Sequence, residues 1–147
     1  MTLTVGADTH VTLVEYAAYA ASLGWVLASE DAANEANLRR GLQFIERGRD
    51  FLGSQDDAAQ ALAFPRNGVT PTAIKEAQME SAYAVQNGFD PFPVLDRSVK
   101  SARDKVGPLD EQVEYFGGEG VKSLPAVDML LKPYLASSGS KIALRRA

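Results

Sequence analysis

Apolar residues recur at helical spacing in four segments of the chain. The first segment begins at Thr12, a favourable N-cap, and ends at Gly24, where a C′ glycine is expected. Tyr16 and Tyr19 flank its apolar stripe, which consists of Val14, Ala17, Ala18 and Ala21. Trp25 follows in the turn, and we predict that it packs between the first two helices.

The second and third segments carry clear start and stop signals. The second begins at Ser29, has acidic residues in its first turn and arginines in its last, and ends at Gly53. Its predicted apolar side consists of Ala33, Ala36, Leu38, Leu42, Ile45 and Phe51. Thr70 is the predicted cap of the third helix, which has Pro71 at its first position and closes at Gly88.

The last part of the chain combines a ribbon with a fourth helix. Gly107 and Pro108 form a turn signal within residues 97–116. Beyond them apolar and charged residues alternate with a period of two, as in a half-buried strand. A two-stranded ribbon of this kind is only marginally stable by itself, so it must pack against its own helices or against another subunit. Ser123 is the predicted cap of the last helix, which extends to Pro133.

These elements predict a mainly α fold. We expect a small bundle of about four helices with an inserted two-stranded β-hairpin and an extended C-terminal tail. The helical domain covers residues 1–135, with the hairpin at about 97–116, and the tail covers residues 136–147.

Composition narrows the class of protein. A chain of 147 residues with 46% hydrophobic and 23% charged residues is expected to fold as one domain. It has no cysteine, and no apolar run approaches the roughly 20 residues that cross a bilayer, so disulfides and a membrane location are not expected. All 19 acidic residues precede Lys132, whereas four basic residues follow from there. The basic end either meets an acidic surface, on another copy, another protein or nucleic acid, or is a solvated terminus.

No catalytic constellation is visible. His10 is the single histidine, no G-x-S-x-G turn exists, and the Gly117–Ser123 segment fails the phosphate-loop pattern because Val121 separates Gly120 from Lys122. The sequence contains three carboxylate pairs, Asp56-Asp57, Glu76/Glu80 and Glu111/Glu114. Charged loops and helix faces produce such pairs routinely, so they do not indicate a site. We therefore expect no enzyme activity, no cofactor and no metal site.

The second helix also lacks a nucleic-acid signature. Its arginines are Arg39, Arg40, Arg47 and Arg49, and the acids between them are Glu35, Glu46 and Asp50. A solvated, salt-bridged face accounts for this mixture better than a phosphate-binding groove.

Taken in order, the motifs resemble those of the head-tail connector proteins of long-tailed bacteriophages, also called adaptor or head-completion proteins. They are the Tyr-x-x-Tyr helix with Trp25, then DFLG, ALAFPRNGV, IKEAQMESAYAV, VKSARDKVGPLDEQVEY and LPAVDMLLKPYL with a basic end. Some members of this group are labelled as having a single-stranded-DNA-binding domain like that of a primosomal protein, and single-stranded-DNA binding is the alternative function.

The resemblance implies a structural virion protein at the neck, present in the host cytoplasm during assembly. Copies would form a dodecameric ring between the portal protein and the next neck or tail connector. Packaged DNA would pass through the channel without specific binding, which suits an acidic body.

Two groups of residues follow as candidate contacts. The residues expected to dock on the portal are Lys141, Ile142, Leu144, Arg145 and Arg146. The residues expected to contact neighbouring subunits through the ribbon are Val99, Lys100, Arg103, Leu109, Val113 and Tyr115.

Overall fold

Four α-helices and a short 3-10 helix make up the regular structure of the computed structural model, which describes residues 2–93 and 123–136. The helices are α1 (Leu13–Leu23), α2 (Asp31–Glu46), α3 (Thr72–Gln86) and α4 (Pro125–Leu131), followed by the 3-10 helix Lys132–Tyr134. Among these residues β pairing is limited to isolated bridges. The mainly helical fold is confirmed for this part of the chain, whereas the predicted hairpin and nearly all of the predicted tail lie outside it.

The signals at both ends of α1 act as predicted. The Thr12 hydroxyl accepts a hydrogen bond from the Glu15 N–H, and the Glu15 carboxylate accepts one from the Thr12 N–H, which together form a capping box. This backbone hydrogen bond holds the pKa of Glu15 below its usual value. At the other end Gly24 takes the left-handed conformation, with φ of 75°.

α3 also closes at Gly88 as predicted, with φ of 99°, but three other helix boundaries differ from the prediction. α2 ends at Glu46 rather than at Gly53, because the backbone is already extended at Arg47 (φ −74°, ψ 131°) and Gly48 then takes φ of 76°. The N-cap of α3 is Pro71 itself, not Thr70, and no side chain caps it. α4 likewise has Leu124 rather than Ser123 as its N-cap.

α2 and α3 pack antiparallel at very short range around Gly41. A Cβ atom at this position would lie 2.8 Å from both the Gln78 carbonyl oxygen and the Ala82 amide nitrogen. The buried Gln78 side chain donates to the Leu38 carbonyl and the Thr9 hydroxyl, and its oxygen accepts from the His10 N–H. These contacts fasten the N-terminal segment onto the two helices.

The core has two parts, one on each side of this crossing. The smaller cluster comprises Val11, Tyr16, Leu38, Met79 and Ala82. The larger one comprises Leu42, Phe44, Ile45, Phe51, Leu62, Phe64, Ile74, Ala77, Val127 and Leu131. Because Val127 and Leu131 are fully buried in it, α4 completes the core although it lies far along the chain. Two predicted core positions of α2, Ala33 and Ala36, are exposed.

Trp25 bridges a different pair of helices from the one predicted. Its ring stacks on Tyr83 of α3 with centroids 4.1 Å apart and an interplanar angle of 2°, and meets Tyr19 of α1 edge to face. It therefore joins α1 to α3 rather than α1 to α2.

Candidate assembly surfaces

The contact residues predicted from the sequence lie outside the described residues. This holds for the portal-docking group, Lys141, Ile142, Leu144, Arg145 and Arg146, and for the ribbon group, Val99, Lys100, Arg103, Leu109, Val113 and Tyr115. The surfaces described below therefore belong to the helical body.

The predicted apolar stripe of α1 faces solvent. Val14 is 78% exposed, and Ala17, Ala18 and Ala21 are exposed along the same side of the helix, while Tyr16 and Ala20 are buried on the other. Just beyond the helix Val26 is 79% exposed. Periodicity found the stripe but could not show that the larger Tyr16 would turn inward instead. We call this surface the outer face of α1.

Arg66 organises the long loop between α2 and α3. Its guanidinium donates to the backbone carbonyls of Ala63 at 2.8 Å and Gly53 at 2.7 Å, and to those of Phe51 and Leu52 at 3.1 and 3.3 Å. It also lies over the rings of Phe51 and Phe64. The motif ALAFPRNGV includes Arg66, but no pattern in the sequence indicated that this residue ties the loop together.

The arginines of the α2 region form ion pairs, but with acids other than those predicted. Arg39 pairs with Asp8 at 3.3 Å, Arg40 with Asp90 at 3.5 Å and Arg49 with Asp128 at 3.5 Å. The predicted partners serve elsewhere, since Glu35 is buried and Glu46 binds His10. Arg39 and Arg40 therefore tie α2 to distant segments, whereas Arg49, just beyond α2, donates to the Phe44 carbonyl of α2 as well as pairing with Asp128.

Most of the Lys and Arg side chains of the body make contacts within the protein. The described residues hold seven of the 15 Lys and Arg, and besides the three ion pairs above, Lys75 pairs with Glu15 at 3.5 Å. Arg66 binds backbone carbonyls, and Arg47 lies over the Phe92 ring at 5.2 Å. Among the described residues Lys132 is the seventh, and it is exposed and forms no ion pair. Little cationic surface is therefore left in this part of the chain for binding phosphate groups.

His10 has a structural role. Its Nε2 lies 2.8 Å from the Glu46 carboxylate, which also accepts a hydrogen bond from the Ala63 N–H, and its ring meets Phe64 edge to face. The residue is only 4% exposed. The pair links the N-terminal segment to the end of α2 and the following loop.

Carboxylates of the pairs in the body accept hydrogen bonds from the protein itself. Asp56 accepts the Gly68 N–H, Asp57 accepts the Ala59 N–H, and Glu80 accepts the Tyr19 hydroxyl at 3.0 Å. Residues 2–93 and 123–136 contain no group of three or more side chains placed to hold a metal ion. None of the helices described is long and apolar enough to span a membrane.

The pKa values of the fully buried Tyr16 and the half-buried Tyr19 are shifted. Burial raises the pKa of the Tyr16 phenol, and the nearby Tyr83 adds to the effect. Burial also raises the pKa of Tyr19, followed by the hydrogen bond to Glu80 and the charges of Glu80 and Glu76. Both phenols therefore stay protonated well into the alkaline range.

A protein-family model matches almost the whole chain. The family is described as "Putative DnaT-like ssDNA binding protein", and the match covers residues 2–147. Searches of curated proteins and of solved structures gave no match.

Proposed function

This chain belongs to that DnaT-like family, and we propose that it is a structural virion protein, an adaptor that forms a ring between the portal and the next connector or tail component of a long-tailed bacteriophage. The proposal rests first on the ordered motifs described above, which resemble those of head-tail connectors along nearly the full chain.

The outer face of α1 is the structural observation that carries the proposal. A helix in a small body is expected to turn its apolar stripe inward, yet Val14 is among the most exposed large apolar residues of the body. Contiguous exposed apolar surface of this kind marks a protein interface. In a ring, this face would be covered by a neighbouring copy.

The charge of the body supports a scaffold rather than a DNA-binding platform. The described residues contain 13 of the 19 Asp and Glu against seven of the 15 Lys and Arg. Single-stranded DNA binding draws its affinity from Lys and Arg that neutralise phosphates, combined with exposed aromatic rings. Here Trp25 and Tyr83 stack on each other instead. An acidic wall suits a channel through which DNA slides without sticking.

In this proposal the two predicted contact groups keep their roles. The basic end, with Ile142 and Leu144 as apolar anchors, docks on acidic portal residues, and the ribbon around Val99 and Tyr115 contacts the neighbouring subunit.

The decisive experiment mixes the purified protein with the portal protein of the same phage and images the product by electron microscopy. We expect rings seated on the portal. Val14→Asp on the outer face of α1 should abolish the rings, whereas Val69→Asp, an exposed valine in the loop before α3, should leave them intact. Deleting residues 137–147 should abolish portal binding but preserve the helical circular dichroism signal. Portal binding that survives both changes would refute the proposed roles.

Single-stranded-DNA binding is the second candidate, because the family description names it. The basic residues it could use outside the described body are Arg97, Lys100, Arg103, Lys105, Lys122, Lys141, Arg145 and Arg146. Retention of the purified protein on immobilised single-stranded DNA, measured over a salt series, tests it. Binding that weakens steeply with salt would favour this function, and no retention at low salt would exclude it.

A further inference from the structure

A small apolar groove lies between α3 and the start of α4. It is lined by Tyr83 and Ala84 of α3 and by Leu124, Pro125, Ala126 and Val127. Its volume of about 180 Å³ is below the roughly 300–1,000 Å³ of typical small-molecule pockets. The groove therefore suits one or two aliphatic side chains from a polypeptide.

The floor of the groove is held in place before anything binds. Tyr83 stacks on Trp25, and the edge of Trp25 in turn meets Tyr19. Because these rings already support one another, binding there costs little ordering of the groove itself.

The rim of the groove is acidic. Glu80 lines it, and Glu76 lies one helical turn earlier on the same side of α3. Among residues 2–93 and 123–136, no Lys, Arg or His forms an ion pair with either carboxylate. An occupant that combines aliphatic side chains with positive charge would complement both the floor and the rim.

The C-terminal segment of this chain has that composition. Residues 137–147 contain no acidic residue. Their large apolar and basic residues are Lys141, Ile142, Leu144, Arg145 and Arg146.

This segment can also reach the groove of its own chain. Ala136 is fixed at the far end of α4, where its N–H donates to the Asp50 carbonyl. α4 and the 3-10 helix separate it from the groove by about 16 Å, at about 1.5 and 2 Å per residue. The six residues to Ile142 span up to about 20 Å. The linker Ser137–Ser140 includes Gly139 and permits the chain to reverse.

We propose that the C-terminal segment folds back onto the body of its own chain, with Ile142 or Leu144 in the groove and the neighbouring basic side chains beside Glu76 and Glu80. A tethered segment has an effective concentration in the millimolar range, so even weak contacts fill the groove. This contact concerns the free protein, and a portal that binds the same segment would have to displace it.

Paramagnetic relaxation tests the contact directly, since the chain has no cysteine that would compete for the label. A nitroxide is attached to Ala147→Cys in the full chain, and amide signals are recorded by NMR. We expect selective broadening of the amide signals of residues 80–84, 124, 126 and 127. The broadening should disappear in the same labelled chain carrying Ile142→Ser and Leu144→Ser, substitutions that leave the folded body untouched. It should also weaken at 1 M salt, where the screening length falls to about 3 Å.

A mixed sample distinguishes the chain's own groove from that of a second copy. Nitroxide-labelled chain without isotope is added to isotope-labelled chain without nitroxide. A contact within one chain cannot broaden signals in this sample, so broadening at the groove here would show that the occupant comes from another copy and would overturn the proposal. Broadening that is absent, or unchanged by the double serine variant, would overturn it as well. None of these outcomes depends on portal binding, so failure here is separable from failure of the connector function.

Discussion

Replacing Arg66 is expected to destabilise the protein far more than replacing any other arginine on the surface of the body. The Arg66 guanidinium donates to four carbonyls, two of them at 2.8 Å or less, from three consecutive loop residues and from Ala63. Hydrogen bonds to a charged group contribute about 1.5–3 kcal/mol each. Because Leu52 and Gly53 are exposed, water can replace part of this bonding. We therefore expect Arg66→Ala to cost about 3 kcal/mol.

A loss of this size lowers Tm by about 6–12 °C in a domain of this length. Thermal and urea unfolding, followed by circular dichroism and by Trp25 fluorescence, measure the change. The matched control is Arg40→Ala, which removes an ion pair between two half-exposed side chains and should cost about 1 kcal/mol or less. Arg66→Lys keeps the charge but not the fork, and should fall near the alanine variant. The reasoning would be wrong if Arg66→Ala and Arg40→Ala unfolded at the same temperature.

Three further predictions follow from the body. Gly41→Ala should lower the free energy of unfolding by about 1–3 kcal/mol, because the added Cβ meets backbone atoms of α3 that can give way only if the helices separate. Urea unfolding measures this loss, and Ala33→Gly, at an exposed position of the same helix, is the comparison variant. The pKa of Glu15 is lowered in the folded protein, so Glu15 stabilises the fold above its unfolded pKa of 4.5, and this stabilisation is lost as the pH falls through the folded pKa. Glu15→Gln should flatten the dependence of stability on pH in this range, and an unchanged dependence would contradict the capping role. Tyr16 and Tyr19 have raised pKa values, so stability should fall once the pH rises above their ordinary value of 10.0, and ultraviolet absorbance should show them ionising only as the protein unfolds.

The sequence predicted helix ends correctly where the end depends only on the neighbouring residues. Thr12 and Gly24 bound α1 as expected because capping depends only on neighbouring residues. Gly53 failed as the end of α2 because the backbone is already extended at Arg47 and left-handed at Gly48. Which glycine ends a helix depends on where the following chain must go, and here Phe51 has to enter the core.

Tertiary partners were the part that the sequence could not supply. The arginines near α2 have acidic neighbours in sequence, yet their partners Asp8, Asp90 and Asp128 lie on three separate segments. The stripe of α1 shows the same limit, since a helix of alanines and tyrosines offers two apolar sides and only packing selects between them. Both outcomes depend on contacts between residues far apart in the chain, which periodicity does not encode.

The burial of Val127 and Leu131 beside α3 has a consequence for how this gene can vary. Phe89 and Leu124, on either side of residues 94–122 in the sequence, both pack against the same core. We therefore expect relatives that differ in length between these two positions to keep apolar residues at positions 127 and 131, because those side chains hold α4 in the core.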